Sequence, residues 1–168
     1  MDFTTRKRLI ELKQLIIEVS KHLIKGLRED VYRNAITCEL RERQINFTFE
    51  ETISVFYKGK CVGLQRMDIC LTSWLEAIIE LKAVSGDIKL EHCWQLLSYM
   101  IQKNYSFGVV VNFTSSPSKE CCFRMIVKKE DDDNNFYFYD CDTDEFTLVE
   151  GYLYHGGVTK SSVSMTRA

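Results

Sequence analysis

The stretch Arg66–Val84, RMDICLTSWLEAIIELKAV, limits what this chain can fold into. It reads as two apolar strands joined by a short turn, yet Asp68, Glu80 and Lys82 stand where a buried strand should carry no charge. Ala77, Ile78, Ile79, Leu81, Ala83 and Val84, which surround Glu80 and Lys82, are all apolar, so this strand is expected to be covered on both faces. Strand side chains alternate faces at about 3.3 Å per residue, so Glu80 and Lys82 project the same way roughly 7 Å apart. Charges placed there must be paired or bind an ion, because burying either alone is costly. If the two strands form a hairpin, Asp68 lies beside Glu80. Two carboxylates and an ammonium so arranged make a compact site for a hydrated hard cation, and oxygen donors suit Mg²⁺ or Mn²⁺.

With 168 residues and 45% hydrophobic residues, the chain can bury one good core and is short for two. Met1–Arg8 is polar and no apolar run is long enough to span a bilayer, so a soluble intracellular protein with no membrane contact is expected. Seven cysteines without a CxxC spacing read as reduced, mostly buried thiols rather than metal ligands. The N-x-S/T matches at Asn46, Asn104 and Asn112 are then coincidental. A net charge of −2 excludes a general pull toward nucleic acid, but the charge is uneven: residues 1–43 carry ten Lys/Arg against seven Asp/Glu, residues 119–168 six against ten. A phosphate-binding surface would be local and involve the N-terminal helices, unless those charges are simply solvated helix faces.

Apolar residues recur at helical spacing from Thr4 to Lys25 (Leu9, Leu12, Ile16, Val19, Leu23), and again at Tyr32, Ile36 and Leu40, with Gly26 as the break. Strand composition follows at 47–57, a tight turn at Lys58-Gly59-Lys60, a return strand at 61–71 and a third strand at 74–84. A helix is predicted over about 89–103, and 106–113, SFGVVVNF, is a short strand apolar on both faces. After a loop at TSSPSK holding the only proline, Pro117, further strands are expected at 121–127, 136–139 and 146–153, the first two separated by an acidic turn at 130–135, with a frayed tail from Lys160. Asp140, Asp142 and Asp144 have the rhythm of a calcium loop, but Glu145 replaces the glycine needed at its sixth position and Gly151 falls at the twelfth, so the segment reads as a solvated turn.

The order helix, three antiparallel-type strands, helix, strand, with Asp68 on the second strand and Glu80-Leu81-Lys82 on the third, resembles the PD-(D/E)XK nuclease core. Gly26-Leu27-Arg28-Glu29-Asp30-Val31-Tyr32 fits a GxxExxY signature, and Gln95-Leu96-Leu97-Ser98-Tyr99 fits the QxxxY motif of the RecB-like branch. With YKGK at 57–60 and GVVVNF at 108–113, residues 9–113 look like the GxxExxY protein family. Met67 stands where the superfamily's nominal proline precedes the aspartate, and the turn before Glu29 is reduced to Lys25-Gly26-Leu27.

The resemblance implies an α/β (α+β) fold of restriction-endonuclease type, a mixed four-stranded sheet flanked by helices over residues 1–118; residues 119–168 lie outside it and are expected, from their own strand pattern, to form a β extension and tail on the same domain. It implies a metal-dependent nuclease acting on nucleic acid, DNA in preference to RNA, leaving a 5′-phosphate, with homodimerisation left open. Asp68, Glu80 and the Leu81 carbonyl would hold Mg²⁺ or Mn²⁺, with Glu29 as a third acidic ligand or the holder of a water. Lys82 would orient the attacking water and stabilise the transition state. Gln95 and Tyr99 share a helix face, and the resemblance places them at the substrate; Tyr32 is counted with them, and His92, one turn before Gln95, is a candidate for touching DNA or metal. Gln95, Tyr99 and His92 read alone are polar rim residues. The rival reading is a non-catalytic module that keeps the fold to bind nucleic acid or a protein.

Overall fold

The computed structural model describes residues 1–113, 120–129 and 135–150. Their elements run α1 (Phe3–His22), α2 (Glu29–Glu42), β1 (Phe47–Tyr57), β2 (Lys60–Leu71), β3 (Ala77–Lys82), α3 (Leu90–Lys103), β4 (Phe107–Asn112), β5 (Cys122–Lys128), β6 (Phe136–Asp140) and β7 (Glu145–Leu148). Asp2 starts α1 by accepting the Thr5 backbone N–H, and the stripe Leu9, Leu12, Leu15, Ile16 and Val19 is buried. Gly26, at φ 81, takes the left-handed turn that separates α1 from α2.

All seven strands form one sheet in chain order. Neighbours are antiparallel except β3 and β4, which run parallel from Ala77↔Phe107 to Lys82↔Asn112. Parallel neighbours cannot be joined by a tight turn, and α3 supplies the crossover. One face of the sheet (Ile69, Leu71, Ile79, Leu81, Val109, Val111) packs on α1 and α2. The opposite face (Cys70, Ile78, Val110, Ile126) packs on Cys93, Leu96, Leu97 and Met100 of α3. Helices on both faces explain why β3 and β4 lack polar alternation, and each large apolar side chain so buried contributes about 1.5–3 kcal/mol. Gly108 lets α3 approach closely: a Cβ there would lie 2.7 Å from Met100 Sδ.

The sheet therefore has seven strands where four were expected, because β5, β6 and β7 continue it from β4 rather than forming an appendage. β3 begins at Ala77, not Trp74, since Trp74 adopts φ 63 in the preceding turn. All seven cysteines are free, but only Cys70, Cys93 and Cys141 are buried, so the expectation of mostly buried thiols fails. The Asp140–Asp144 segment is a hairpin turn docked on α1. Asp140 Oδ1 accepts the Asp142 and Thr143 N–H groups, Lys13 pairs with Asp142 at 2.5 Å, and Arg6 pairs with Asp144 at 3.3 Å. The Pro117 loop, positions 130–134 of the acidic turn, positions 151–153 of the last expected strand and the tail from Lys160 lie outside the described residues.

Asn112, fully buried at the end of β4, locks the chain that leaves β3. Its Oδ1 accepts the Val84 N–H at 3.0 Å, and its Nδ2 donates to the Val84 and Gly86 carbonyls at 3.1 and 2.9 Å. Asn112→Ala strands three backbone groups and should cost about 2–3 kcal/mol. Urea unfolding measures this, and a loss below about 1 kcal/mol would contradict the role given to the side chain.

Candidate active site

β2 and β3 pair at only three positions, Ile69↔Ile79, Cys70↔Ile78 and Leu71↔Ala77. Beyond Ile79 the ladder stops and the strands part. The gap lies at the carboxyl end of the parallel pair β3 and β4, the usual position for sites in open α/β sheets. Asp68 fills it, and its Oδ2 accepts the Leu81 N–H at 2.8 Å in place of a strand partner. Lys82 O accepts from Phe113 N, so Lys82 faces β4. By alternation the Leu81 carbonyl, like its N–H, faces the gap.

Glu80 and Lys82 share the α3 side of β3. Glu80 is 2% exposed, and its Oε1 accepts from Lys82 Nζ at 2.6 Å. Its other oxygen, Oε2, is buried with no hydrogen-bond partner. Burial, then the nearby Asp68 carboxylate, pushes the Glu80 carboxyl up to about 7, against the pull of Lys82. Asp68 is also raised, first by burial and then by Glu29, with Leu81 N–H, Lys82 and Arg33 opposing.

Helices reach this point from both faces. Glu29, the first residue of α2, accepts the Ala83 N–H at 3.1 Å through Oε1, just past the end of β3. Tyr32, one turn later, is buried: it stacks on Phe113 with ring centroids 4.1 Å apart, and its hydroxyl donates to the Ile24 carbonyl at 3.2 Å. Its position anchors the turn before α2 and so holds Glu29 at the strand end. From α3, Gln95 Nε2 donates to the Tyr99 hydroxyl at 2.8 Å, and that hydroxyl donates to the Arg66 carbonyl at 3.3 Å, two residues before Asp68. Burial raises the Tyr99 phenol against the pull of the Gln95 hydrogen bond, with smaller contributions from the Glu80 and Asp68 charges. His92 Nδ1 accepts the Lys89 N–H at 3.3 Å, and burial, followed by Lys82, lowers its pKa.

Arg33 and Glu50 were not singled out by sequence. Arg33 lies on α2, its Nη1 3.0 Å from Glu50 Oε1 and 3.9 Å from Asp68 Oδ1. A signal existed: Arg33 follows Glu29 by four residues, so a helix that turns one toward the sheet turns both. Glu50 had none, because its place depends on a backbone irregularity. It sits inside β1 at φ 54, a conformation costing on the order of 1–3 kcal/mol for a non-glycine residue.

Among the described residues, no three His, Cys, Asp or Glu side chains close into a cation cage. The donors present are two adjacent carboxylates, the gap-facing Leu81 carbonyl and, at the rim, Glu29. They fit a hydrated ion: Mg²⁺ keeps several waters and takes one or two protein carboxylates. The unpartnered Glu80 Oε2 beside a second carboxylate is an acceptor that a cation would satisfy. No helix among the described residues is long and apolar enough to cross a membrane.

The family model of the PD-(D/E)XK nuclease superfamily matches residues 7–125. Neither a curated protein nor a solved structure matches the chain.

The raised Glu80 carboxyl fixes the sign of a pH effect on the metal-free protein. A carboxyl whose folded pKa lies above its unfolded value contributes stability fully below the unfolded pKa of about 4.5 and loses it as pH rises through about 7. Glu80→Gln keeps the bond to Lys82 but cannot ionise. In EDTA the wild type should fall behind this variant by up to about 3 kcal/mol between pH ~5 and pH ~8. Urea unfolding at the two pH values checks it; a pH-independent difference would rule it out.

Proposed function

Because the chain belongs to the PD-(D/E)XK nuclease superfamily, we propose that the gap between β2 and β3 is the active site of a divalent-cation-dependent phosphodiesterase acting on nucleic acid, with DNA as the preferred substrate. We further assign the chain to the GxxExxY group of the RecB-like branch, on the Glu29–Tyr32 and Gln95–Tyr99 motifs. The observation that carries the reading is the buried, unpartnered Glu80 Oε2 next to Asp68 in an otherwise apolar strand. An internal ion pair alone needs one carboxylate and one ammonium, whereas this cluster holds two carboxylates, both with raised proton affinity.

Asp68, Glu80 and the Leu81 carbonyl would hold Mg²⁺ or Mn²⁺, with Glu29 at the rim. A bound cation supplies Lewis acidity and neutralises charge on the scissile phosphate. Lys82, 14% exposed and tethered to Glu80, keeps its ammonium at the mouth of the gap. There it orients the attacking water and stabilises the charge that develops on the phosphorane, leaving a 5′-phosphate. Tyr99 and Tyr32 serve as positioning residues: Tyr99 braces β2 at Arg66, and Tyr32 fixes the start of α2. Gln95 and His92, on the half-exposed rim of α3, are assigned to the substrate backbone.

Purified protein should cleave labelled DNA only with Mg²⁺ or Mn²⁺. Asp68→Ala, Glu80→Ala and Lys82→Ala should each lower the rate roughly a hundredfold or more. Mn²⁺ should raise the melting temperature of the wild type and not of the carboxylate variants. Equal cleavage by wild type and Lys82→Ala, or no cleavage of any DNA or RNA, would refute the assignment and favour a non-catalytic module.

A further inference from the structure

Among the described residues, Glu50 alone combines a positive φ with a place inside a strand. The β1 and β2 ladder pairs Phe49↔Ile69 and Glu51↔Met67, so Glu50 falls opposite Asp68 but is not paired with it. The bend delivers its carboxylate to two guanidinium groups. Arg33 Nη1 lies 3.0 Å and Arg66 Nη1 3.2 Å from the same oxygen, Oε1. Arg33 is 12% exposed, and its Nε is buried without a hydrogen-bond partner. Arg66 is open to solvent.

A structural ion pair does not require a strained residue in mid-strand. Strain of this kind persists where the surroundings impose it, and it gathers at ligand sites. An exposed pair such as Arg66 with Glu50 adds little to stability. Two guanidinium groups sharing one carboxylate oxygen also leave donors unused, whereas a phosphodiester offers two non-bridging oxygens and matches the planar fork of arginine. The pair stands directly beside Asp68, where the chain's phosphate chemistry is assigned.

We propose that Arg33 and Arg66 form a phosphate clamp for the nucleic-acid backbone next to the scissile bond, and that Glu50 closes it in the free protein as a stand-in for that phosphate. This rests on the nuclease reading. Substrate takes the place of the Glu50 carboxylate: Arg33, fixed from α2, stays in position, and Arg66 turns from Glu50 to the incoming phosphate. The Glu50 carboxylate stays on β1, so the incoming phosphate competes with it for Arg66.

The test uses the full chain and a labelled short DNA, single- and double-stranded, with Ca²⁺ for binding and Mn²⁺ for cleavage. Arg33→Gln and Arg66→Gln should each weaken binding about tenfold. Each should also lower the slope of log K against log salt by about 0.9 on duplex DNA, and raise KM more than they lower kcat. Glu50→Gln, which removes the competing charge, should tighten binding, and Arg66→Lys should recover the salt slope but only part of the affinity. Because Arg33→Gln can disturb folding, the exposed Arg66 variants carry the decision, with melting temperatures as controls. Unchanged affinity and salt slope in Arg66→Gln, in a protein that still cleaves DNA, would overturn the clamp and leave the nuclease reading intact. Wild-type protein that neither binds nor cleaves nucleic acid would remove both.

Discussion

The organising constraint is a carboxylate forced into a strand buried on both faces. Glu80 sits between Ile79 and Leu81, both fully buried, with helices covering each face. An isolated charge there would neutralise itself or disrupt the strand. The chain answers with Lys82 two residues on, which reaches back to one carboxylate oxygen, and leaves the second oxygen unmet. Asp68 next to it raises the proton affinity of Glu80 further, so the cluster is internally unbalanced. A buried salt bridge would be complete in itself, and this imbalance is what supports the proposed site.

The fold creates room for this by letting β2 and β3 separate after three paired residues. Backbone groups released from the ladder are not left orphaned: the Leu81 N–H finds Asp68, the Ala83 N–H finds Glu29, and the Val84 N–H finds Asn112. Each of these N–H groups thus meets a polar side chain, while the Leu81 carbonyl faces the gap. Two of those side chains are carboxylates, so the same contacts that satisfy the backbone also concentrate negative charge at the strand end. Glu29 and Arg33 arrive from α2 on one face, Gln95 and Tyr99 from α3 on the other, and both helices are fixed by apolar stripes packed on the sheet.

Much of this is legible in the amino-acid sequence. The helical stripes of α1, α2 and α3 and the apolar run of β4 follow from hydrophobic periodicity. Glu80 and Lys82 announced themselves because charge inside an apolar strand demands a partner. Other features depended on long-range placement. The sheet grew from four strands to seven because β5, β6 and β7 pair outward from β4, and local composition says that a strand exists but not which edge it joins. Asp140, Asp142 and Asp144 read as a solvated turn, yet Lys13 and Arg6, more than a hundred residues earlier, bind two of them. Arg33 was one turn from a residue already singled out. Glu50 carried no signal, since its role comes from a backbone bend.

The sequence by itself determined the elements, the buried character of β3 and the charged trio that cannot rest there unpartnered, because side-chain periodicity and the cost of desolvation act locally. Only the tertiary structure decided which oxygen stays unmet, which helix residues meet at the strand end, and that Arg33, Glu50 and Arg66 gather beside Asp68. Those outcomes depend on how strands part and how helices cross a sheet, and such distances between remote residues are set by packing of the whole core rather than by any one segment.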